Sequence, residues 1–405
     1  MKYDSNGNVL WANSAGGNGS EYSNGIATDF SGNVCITGWF DSPLLAFGST
    51  TLMASSEDIF VTKYDANGNV LWAKAAGGSN AEYGSSVSID SNNDIYISGT
   101  FDSPNLIFGT TTLTCLGGED SYFTKYDSNG SIIWAKKIGG LGNDWIDNTA
   151  VDAGGNLCLV GTFSSNTLTI GASTFTNSGA FDGFVVKYDG SGNALWAKKT
   201  GGNSTDRVYS ICSDLSSNLY ITGSFASSSF AIGSTTLTSS SSTELFEAQF
   251  DPSGNAIWAK AATGTDADEG FGIATDVAGN VYTTGYYRSP TINFGSMSCS
   301  NSGTTNIYIA KSGSTMGNNE IRQLENILFS PNPFSDQTIL KSKKYYKNAT
   351  LTLFNSLGQI ASEINNIEGN TITVSRNNLL EGVYFALLSE ENIIISRTKI
   401  IISNK

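Results

Sequence analysis

Histidine is absent from the 405 residues of this chain, and that absence excludes several kinds of chemistry. Without histidine the chain has no Ser-His-Asp or Cys-His catalytic group and no imidazole ligand for a metal ion. Cysteine is scarce, and its wide spacing matches neither a CxxC site nor a disulfide framework. We expect Cys35 and Cys158 to fill core positions, because free cysteine behaves as a small buried hydrophobe. The five cysteines are Cys35, Cys115, Cys158, Cys212 and Cys299.

Charge, proline and long apolar runs are also scarce. Only 14% of residues are charged, there are 6 prolines, and the net charge is −14. The acidic body has no basic stripe, so binding to nucleic acid is disfavoured. No run of about 18 apolar residues indicates a membrane span. The first residues, "MKYDSNGN", lack the apolar segment of a signal peptide.

What the sequence has in abundance is glycine, small polar residues and a repeat. Glycine numbers 45, and β-branched and aromatic residues are prominent, which favours an all-β, turn-rich protein. The stretch "YDSNGNVLWA" at residues 3–12 recurs as "YDANGNVLWA", "YDSNGSIIWA", "YDGSGNALWA" and "FDPSGNAIWA". Its tryptophans advance in steps of 61, 62, 62 and 62 residues: Trp11, Trp72, Trp134, Trp196 and Trp258.

One repeat contains four short strand patterns joined by tight turns, as a β-propeller blade does. A small insertion with the pattern "FGxTTLT" lies between the second and third strands. We predict five blades over residues 1–313. The chain starts with a fourth-strand pattern, so residues 9–15 are expected to complete the three-stranded fifth blade and close the ring. The same start also fits a longer parent with more blades and an incomplete N-terminus.

The repeat resembles a known family. "GIATDFSGNVCITGWF" and "DIFVTKYDANGNVLWAKAAGG" are similar to the bacterial β-propeller repeat (SBBP-like repeat) of predicted seven-bladed secreted proteins. This resemblance covers residues 1–313 and implies the fold but no activity.

The five tryptophans are interpreted as structural blade anchors. In this view Asp-x-x-Gly-Asn forms the turn and the tryptophan packs onto the next blade. The element also looks like the tryptophan-docking repeat of quinoprotein dehydrogenases, but no quinone-binding groups accompany it. It resembles the Asp-box turn of sialidases as well, although the Asp-to-Trp spacing is wrong. No cofactor is therefore expected.

A periodic acid follows each fourth strand, and an aromatic residue follows it in three repeats. Either the acids cap turns or they form a ligand rim, where carboxylates and aromatic rings suit sugars and repeated sites give avidity. A central cation is a further alternative. A glycan-cleaving enzyme would need two unlike carboxylates, and the near-identical repeats disfavour it. The candidate rim residues are Glu21, Tyr22, Glu82, Tyr83, Asp144, Trp145, Asp206 and Asp268.

Composition changes near residue 314, where a linker over 314–319 is followed by a domain over 320–405. Strand patterns such as "NATLTLFNS" and "GVYFALLS" predict a small β-sandwich. "ILFSPNPFSD", "ATLTLFNSLGQIAS", "LLEGVYFALLS" and "TKIIISNK" together resemble the type A C-terminal sorting domain of the type IX secretion system. The residues that match this family's motifs are Pro331, Asn332, Pro333, Phe334, Gly358, Gly382, Tyr384 and Lys399.

This second resemblance implies an export address read by the type IX secretion machinery of a Bacteroidota-type cell. Taken together, the sequence predicts a secreted or cell-surface, non-catalytic propeller that acts in binding, adhesion or scaffolding. Its expected partners are the secretion machinery and a glycan or surface protein, and a monomer is expected. The alternative is a propeller enzyme that cleaves glycans with axial carboxylates.

Overall fold

The computed structural model describes residues 1–4, 6–239, 242–312, 329–355, 360–390 and 393–404. The chain divides into two compact units, Met1–Gly313 and Ser314–Lys405. The predicted linker at 314–319 and the residue Gly358 lie outside the described residues. All assigned elements are strands, which confirms the all-β prediction.

Four complete blades follow one another in the first unit, and each is a four-stranded antiparallel meander. A fifth blade has three strands in the described residues. The first strands are Glu21–Thr28, Glu82–Ile89, Asp144–Val151, Asp206–Ser213 and Asp268–Thr275. The second strands are Val34–Phe40, Ile95–Phe101, Leu157–Phe163, Leu219–Phe225 and Val281–Tyr287. The third strands are Asp58–Tyr64, Asp120–Tyr126, Asp182–Tyr188, Glu244–Phe250 and Asn306–Ser312. The fourth strands are Val70–Ala76, Ile132–Ile138, Ala194–Gly201 and Ala256–Ala261.

The insertion between the second and third strands is a two-stranded hairpin in every blade. Each hairpin turns at a glycine in the left-handed region, such as Gly109 with φ of 61°. The hairpins of blades 2 to 5 also meet the preceding blade, as in the bridge between Gly77 and Ile107. The hairpins therefore fasten consecutive blades. Their strands are Leu44–Phe47 and Thr50–Met53, Asn105–Phe108 and Thr111–Thr114, Thr167–Ile170 and Ser173–Thr176, Phe230–Ile232 and Thr235–Leu237, and Thr291–Phe294 and Met297–Ser300.

The core lies inside the blades and between them. In blades 1 to 4 the second and third strands are almost wholly buried, and their apolar side chains form clusters that cross from one blade to the next. Removing such side chains from water is the main stabilising contribution. Cys35 and Cys158 lie in these clusters with no exposed surface, as the sequence predicted.

The predicted closure by the N-terminal strand is wrong for the described residues. Val9–Trp11 pairs with Lys2–Tyr3 and not with the third strand of blade 5. The physical reason is local: Asp4 Oδ1 accepts the N–H groups of Asn6 and Asn8 at 2.8 Å, and this turn folds Val9–Trp11 back onto Lys2–Tyr3. The hairpin thus occupies the place that a preceding blade's outer strands would occupy.

The end blades consequently expose surfaces that the inner blades bury. Ile26 in the first strand of blade 1 is 69% exposed, whereas Val87, its equivalent in blade 2, is 7% exposed. At the other end, Ile309 of blade 5 is 79% exposed, and its equivalent Val185 is fully buried. First strands of consecutive blades contact one another throughout the described array. The described blades therefore form an open series.

The second unit is one hydrogen-bonded sheet wrapped around a single core. The long second strand of this unit pairs with two different strands along its length. The unit is therefore one continuous sheet, and not the two packed sheets of the predicted β-sandwich. The strands are Phe329–Ser330, Gln337–Phe354, Ile360–Ser375, Gly382–Glu390 and Ile393–Ile402.

Candidate functional site

The Asp-x-x-Gly-Asn run of the repeat is a self-contained turn. In blade 1, Asp65 Oδ1 accepts the backbone N–H groups of Asn67 at 2.9 Å and Asn69 at 2.8 Å. The Asn69 side-chain amide donates to Asp65 Oδ2 at 2.8 Å, and Gly68 has φ of 87°. The hydrogen bonds from Asn69 hold the pKa of Asp65 below its ordinary value. The aspartate is thus used internally and is not a ligand group.

The tryptophan of the same element lies against the turn of the next blade. Trp72 Nε1 donates to the Ser128 carbonyl at 3.1 Å, and a Cβ on Gly130 would approach the Trp72 ring to 2.8 Å. Glycine is therefore required both for its φ of 80° and for the space the ring takes. The same bond forms at 3.1 Å for Trp11, 3.3 Å for Trp134 and 3.0 Å for Trp196. The turn that Trp258 would meet by this pattern falls beyond residue 312, outside the described residues.

The sequence left two alternatives for the periodic acids, turn caps or a ligand rim, and in the structure their carboxylates make capping hydrogen bonds. Asp144 has no exposed surface; its Oδ2 accepts the Ser165 hydroxyl at 2.6 Å and the Gly140 N–H at 2.7 Å. Equivalent capping bonds hold Asp206 and Asp268. Glu21 caps with Ser42, and Glu82 accepts the Gly78 N–H at 2.7 Å. These carboxylates stabilise the loop between blades.

Burial has an electrostatic consequence for the capping acids. It raises the pKa of Asp144, Asp206 and Asp268 above the ordinary aspartate value, because a charged carboxylate is poorly solvated inside protein. For Glu82 the same desolvation raises the pKa to about 7. Such groups are poor candidates for exposed sugar acceptors.

Of the aromatic neighbours of the acids, Tyr22 lies at the surface, whereas Tyr83 and Trp145 are half-buried. Tyr22 is 55% exposed and stacks on Trp39 with ring centroids 4.6 Å apart. Trp39 meets Tyr83 edge to face at 5.4 Å, and the Tyr83 hydroxyl donates to Glu57 at 2.5 Å. Glu57 belongs to the preceding blade, so the aromatic ring and its acceptor come from different blades.

The same arrangement continues in blades 3 and 4. Trp145 Nε1 donates to Glu119 at 2.5 Å, and the Trp145 ring stacks on Phe181 at 5.2 Å. The Arg207 guanidinium lies 5.5 Å from the Trp145 ring and 5.1 Å from the Phe181 ring. This is a cation–π arrangement in which a planar group covers two aromatic faces.

A third aromatic group lies between blades 4 and 5. Tyr209 packs on Phe271 at 4.9 Å, and Phe271 on Tyr286 at 5.6 Å. Both tyrosine hydroxyls donate to Glu269, at 3.0 and 2.8 Å. We name these three groups together the aromatic row. Its members are Tyr22, Trp39, Tyr83, Trp145, Phe181, Tyr209, Phe271 and Tyr286.

Five members of the row were not predicted from the sequence, and two of these, Tyr209 and Phe271, lie at β-bulges that shift the side-chain alternation. The first strand of every blade skips one residue in its pairing with the second strand. A bulge re-aims the extra residue and commonly does so beside functional sites. The skipped residues are Asn24, Ser85, Asp147, Tyr209 and Phe271.

Asp147 is the one acid among the bulged residues, and it breaks the near-identity of the repeats. Thr162 donates to its Oδ2 at 3.2 Å, and burial of the carboxyl raises its pKa to about 7. Within the described residues no group of three or more Cys, Asp or Glu side chains is arranged to hold a metal ion. The described chain likewise contains no helix long and apolar enough to cross a membrane.

The motif residues of the second unit converge on its last strand. Asn332 Nδ2 donates to the Lys399 carbonyl at 2.9 Å, and Asn332 Oδ1 accepts the Ile401 N–H at 2.7 Å. Phe334 is buried and continues the pairing by accepting the Ser403 N–H at 3.0 Å. The opening Pro-Asn-Pro segment therefore straps the end of the chain.

The remaining described motif residues complete this unit. Pro331 accepts the Thr338 hydroxyl at 2.6 Å through its carbonyl. Tyr384 is buried in the core and donates its hydroxyl to the Leu380 carbonyl at 3.0 Å. Gly382 has φ of 155°, and the Lys399 side chain is exposed. Lys399 thus leaves a cationic group available on the surface of the strapped strand.

Comparison with known families identifies the second unit. Residues 329–403 match the family described as "Secretion system C-terminal sorting domain", which confirms the resemblance of the tail. A sorting domain of this kind implies a secreted or outer-surface protein.

The rest of the chain has distant relatives. An uncharacterized WD repeat-containing protein of Acanthamoeba polyphaga mimivirus is 26% identical over 374 residues, which is 73% of this chain and 26% of that protein. The regulatory protein FlaEY of Caulobacter vibrioides is 25% identical over 69% of this chain and 31% of its own length. The chain thus spans about a quarter to a third of these curated relatives.

Among solved structures, PorZ is similar over 94% of this chain and 45% of its own. It is a bacterial surface component of the type IX secretion system of Porphyromonas gingivalis. The two have 13% sequence identity and a TM-score of 0.30.

Proposed function

We propose that this chain is an exported, non-catalytic binding module, in which the sorting tail provides the address and the blades carry the ligand surface. The family match over residues 329–403 supports the address. The exposed cation of Lys399, on a strand held by the Pro-Asn-Pro strap, supports a surface that the secretion machinery reads. The blades use their turns, caps and tryptophans internally, which leaves the aromatic row as the surface unexplained by folding.

We infer that the ligand of the aromatic row is a glycan. Sugar rings offer C–H faces that pack on aromatic side chains, and their hydroxyls bond to carboxylates and to tyrosine hydroxyls. The row presents both kinds of group side by side, in Tyr83 with Glu57 and in Trp145 with Glu119. The observation that carries this proposal is the exposed Tyr22 ring stacked on Trp39, since a ring that is 55% exposed contributes little to a core.

The test is glycan-array binding of the purified full chain, followed by titration of the best glycan. Tyr22→Ala and Trp145→Ala should each weaken binding about fivefold or more, because aromatic contacts contribute on the order of 1 kcal/mol or more. Tyr3→Ala is a matched control, since Tyr3 is also 55% exposed and lies outside the row. Silence across a broad array, or equal losses from Tyr3→Ala, would contradict the glycan proposal. Binding to a surface protein that free sugars do not compete would indicate the protein partner.

The export address is tested separately in the native cell. Deletion of residues 320–405 should hold the blades in the periplasm, while Tyr22→Ala should leave export unchanged. Normal surface display of the truncated protein would refute the address and would leave the ligand proposal untouched.

One observation favours a second candidate, a glycan-cleaving enzyme. Asp147, with its pKa raised to about 7, could act as a general acid, which the near-identical repeats did not suggest. Hydrolysis requires a second, ionised carboxylate facing the same sugar. If the purified chain releases reducing ends from a polysaccharide and Asp147→Asn abolishes this activity, the proposal of a glycan-cleaving enzyme would replace the proposal of a binding module.

A further inference from the structure

The acid that begins the third strand is neutralised by a lysine in blades 2 and 3. Lys137 Nζ lies 2.7 Å from Asp120 Oδ2, and Lys199 Nζ lies 2.7 Å from Asp182 Oδ2. Lys199 also donates to the Thr176 carbonyl at 2.7 Å. All four charged residues belong to the repeat, so the ammonium group occupies an equivalent, oxygen-lined position in both blades. These two blades show what the position requires.

Blade 1 keeps the acid and lacks the lysine. Asp58 begins its third strand and is 6% exposed, while Ala75 stands at the position of Lys137 and Lys199. The loop before the acid also differs. Four residues separate Met53 from Asp58, whereas five separate the equivalent positions in blades 2 and 3. The single deletion in the array therefore falls beside the acid that has lost its partner.

A second buried carboxylate joins Asp58 from the next blade. Glu82 has no exposed surface, and its Oε2 accepts the Gly78 N–H at 2.7 Å. Asp58 lies against the adjacent residue, because a Cβ on Gly77 would meet its Oδ1 at 2.2 Å. Two neighbouring residues of one loop thus hold both carboxylates, and the charge of Asp58 contributes to the raised pKa of Glu82.

Neither carboxylate is fully satisfied. Asp58 Oδ1 and Glu82 Oε1 are both buried without a hydrogen-bond partner. The Oδ1 atoms of Asp120 and Asp182 share that state, but there the second oxygen carries an ammonium. No lysine or arginine of the described residues pairs with Asp58 or Glu82. Asp58 accepts backbone hydrogen bonds from Ser55 and Ser56, and Glu82 from Gly78, but two buried carboxylates without a counter-charge remain costly, because burial removes their hydration.

We propose that a hard cation binds between Asp58 and Glu82 and takes the place of the missing lysine ammonium. All the donors are oxygens, which is the set that Ca²⁺ prefers. Asp58 belongs to blade 1 and Glu82 to blade 2, so the cation would hold the loops of two blades together. This site is distinct from a ring of carboxylates on the axis, because it uses one pair from adjacent blades.

Blade 4 shows that the loss of the lysine does not by itself create a cation site. Ala261 stands at the lysine position there too, but the acid is the longer Glu244. Glu244 Oε2 accepts the Gly264 N–H at 3.0 Å, and its neighbour Asp268 accepts the Ser289 hydroxyl at 2.7 Å. Neither residue has a buried oxygen without a partner among the described atoms. The proposal is therefore confined to blade 1.

The test uses the chelator-treated full chain at 150 mM salt and neutral pH, with Ca²⁺ as the probe in calorimetric titration and thermal unfolding. The wild type should bind Ca²⁺ in a saturable event, and saturation should raise its Tm by about 2–4 °C or more. Ala75→Lys restores the partner found in blades 2 and 3, so it should lose that event and have a higher Tm without Ca²⁺. Lys137→Ala opens an equivalent position in blade 2. Its decrease in Tm relative to the wild type should therefore be smaller in Ca²⁺ than in chelator.

A second variant keeps the test decisive if Ala75→Lys folds poorly. Glu82→Gln preserves the shape of the side chain, removes one charge and should weaken Ca²⁺ binding at least tenfold. The proposal is overturned if the wild type shows no saturable Ca²⁺ event, or if both variants bind Ca²⁺ as the wild type does. A Tm that rises on acidification but ignores Ca²⁺ would also overturn it, because the pair would then share protons.

Discussion

Replacing Trp134 by alanine should cost about 3–4 kcal/mol of unfolding free energy. The ring packs on Phe123 at 5.7 Å and on Tyr96 at 6.0 Å, and most of it is buried against the turn of the next blade. Burying about 150 Å² at roughly 25 cal/mol per Å² gives an upper value near 4 kcal/mol, which a compact unfolded state lowers to about 3. The hydrogen bond to the Gly190 carbonyl adds about 1 kcal/mol.

Urea unfolding followed by far-UV circular dichroism measures this cost. Ile133→Ala is the matched control, because Ile133 precedes Trp134 on the same strand and is 50% exposed, and it should cost less than about 1 kcal/mol. Trp134→Phe separates the ring from the hydrogen bond and should lose only part of the stability. A cost below about 1 kcal/mol for Trp134→Ala would refute the tryptophan as an anchor between blades.

The remaining predictions concern a turn, a titration and the tail. Gly130→Ala should destabilise the chain by more than about 1 kcal/mol in the same unfolding assay, since it strains a φ of 80° and meets the Trp72 ring; Gly303→Ala, which has no close neighbour, is the control. The pKa of Asp147 is raised, so the folded state holds its proton more tightly and the free energy of unfolding should fall as pH rises from about 4 to 7. Asp147→Asn should make that fall smaller, and an unchanged pH profile of stability would contradict the prediction. Asn332→Ala should lower the stability of the tail by about 1–3 kcal/mol through two lost hydrogen bonds, whereas Lys399→Ala should leave stability unchanged and reduce export.

The blades could be predicted because each part of a repeat has a local cause. The Asp-x-x-Gly-Asn run closes its own turn through contacts within five residues, as Asp65 and Asn69 show. Strand alternation and the repeated steps then define a meander without any long-range information. Ring closure is different, because it depends on small angles between blades that no single repeat encodes. The fourth-strand pattern at Trp11 was correct, and only its partner was wrong.

The candidate site was less predictable, since burial is a property of the assembled loops. The sequence could not decide whether the periodic acids cap turns or form a ligand rim, because they lie among Gly, Ser and Asn, which usually indicate surface loops. In the structure a serine from the following blade segment, such as Ser165, covers each acid. Tyr209 and Phe271 of the aromatic row lie at bulges, which shift alternation by one residue and leave no clear pattern in the sequence.

Positions that differ between the repeats are better candidates for ligand recognition than positions that are the same in every repeat. Positions whose side chains cap loops or anchor blades hardly vary between repeats. The acids Glu82 and Asp144, which precede Tyr83 and Trp145, illustrate this. The following position holds Tyr, Tyr, Trp, Arg and Glu in successive blades. Five equal sites would need the same residue there, so the row favours one extended ligand that meets a different group at each blade. A long glycan should then bind more tightly than its fragments, whereas equal affinity for a monosaccharide would favour independent sites.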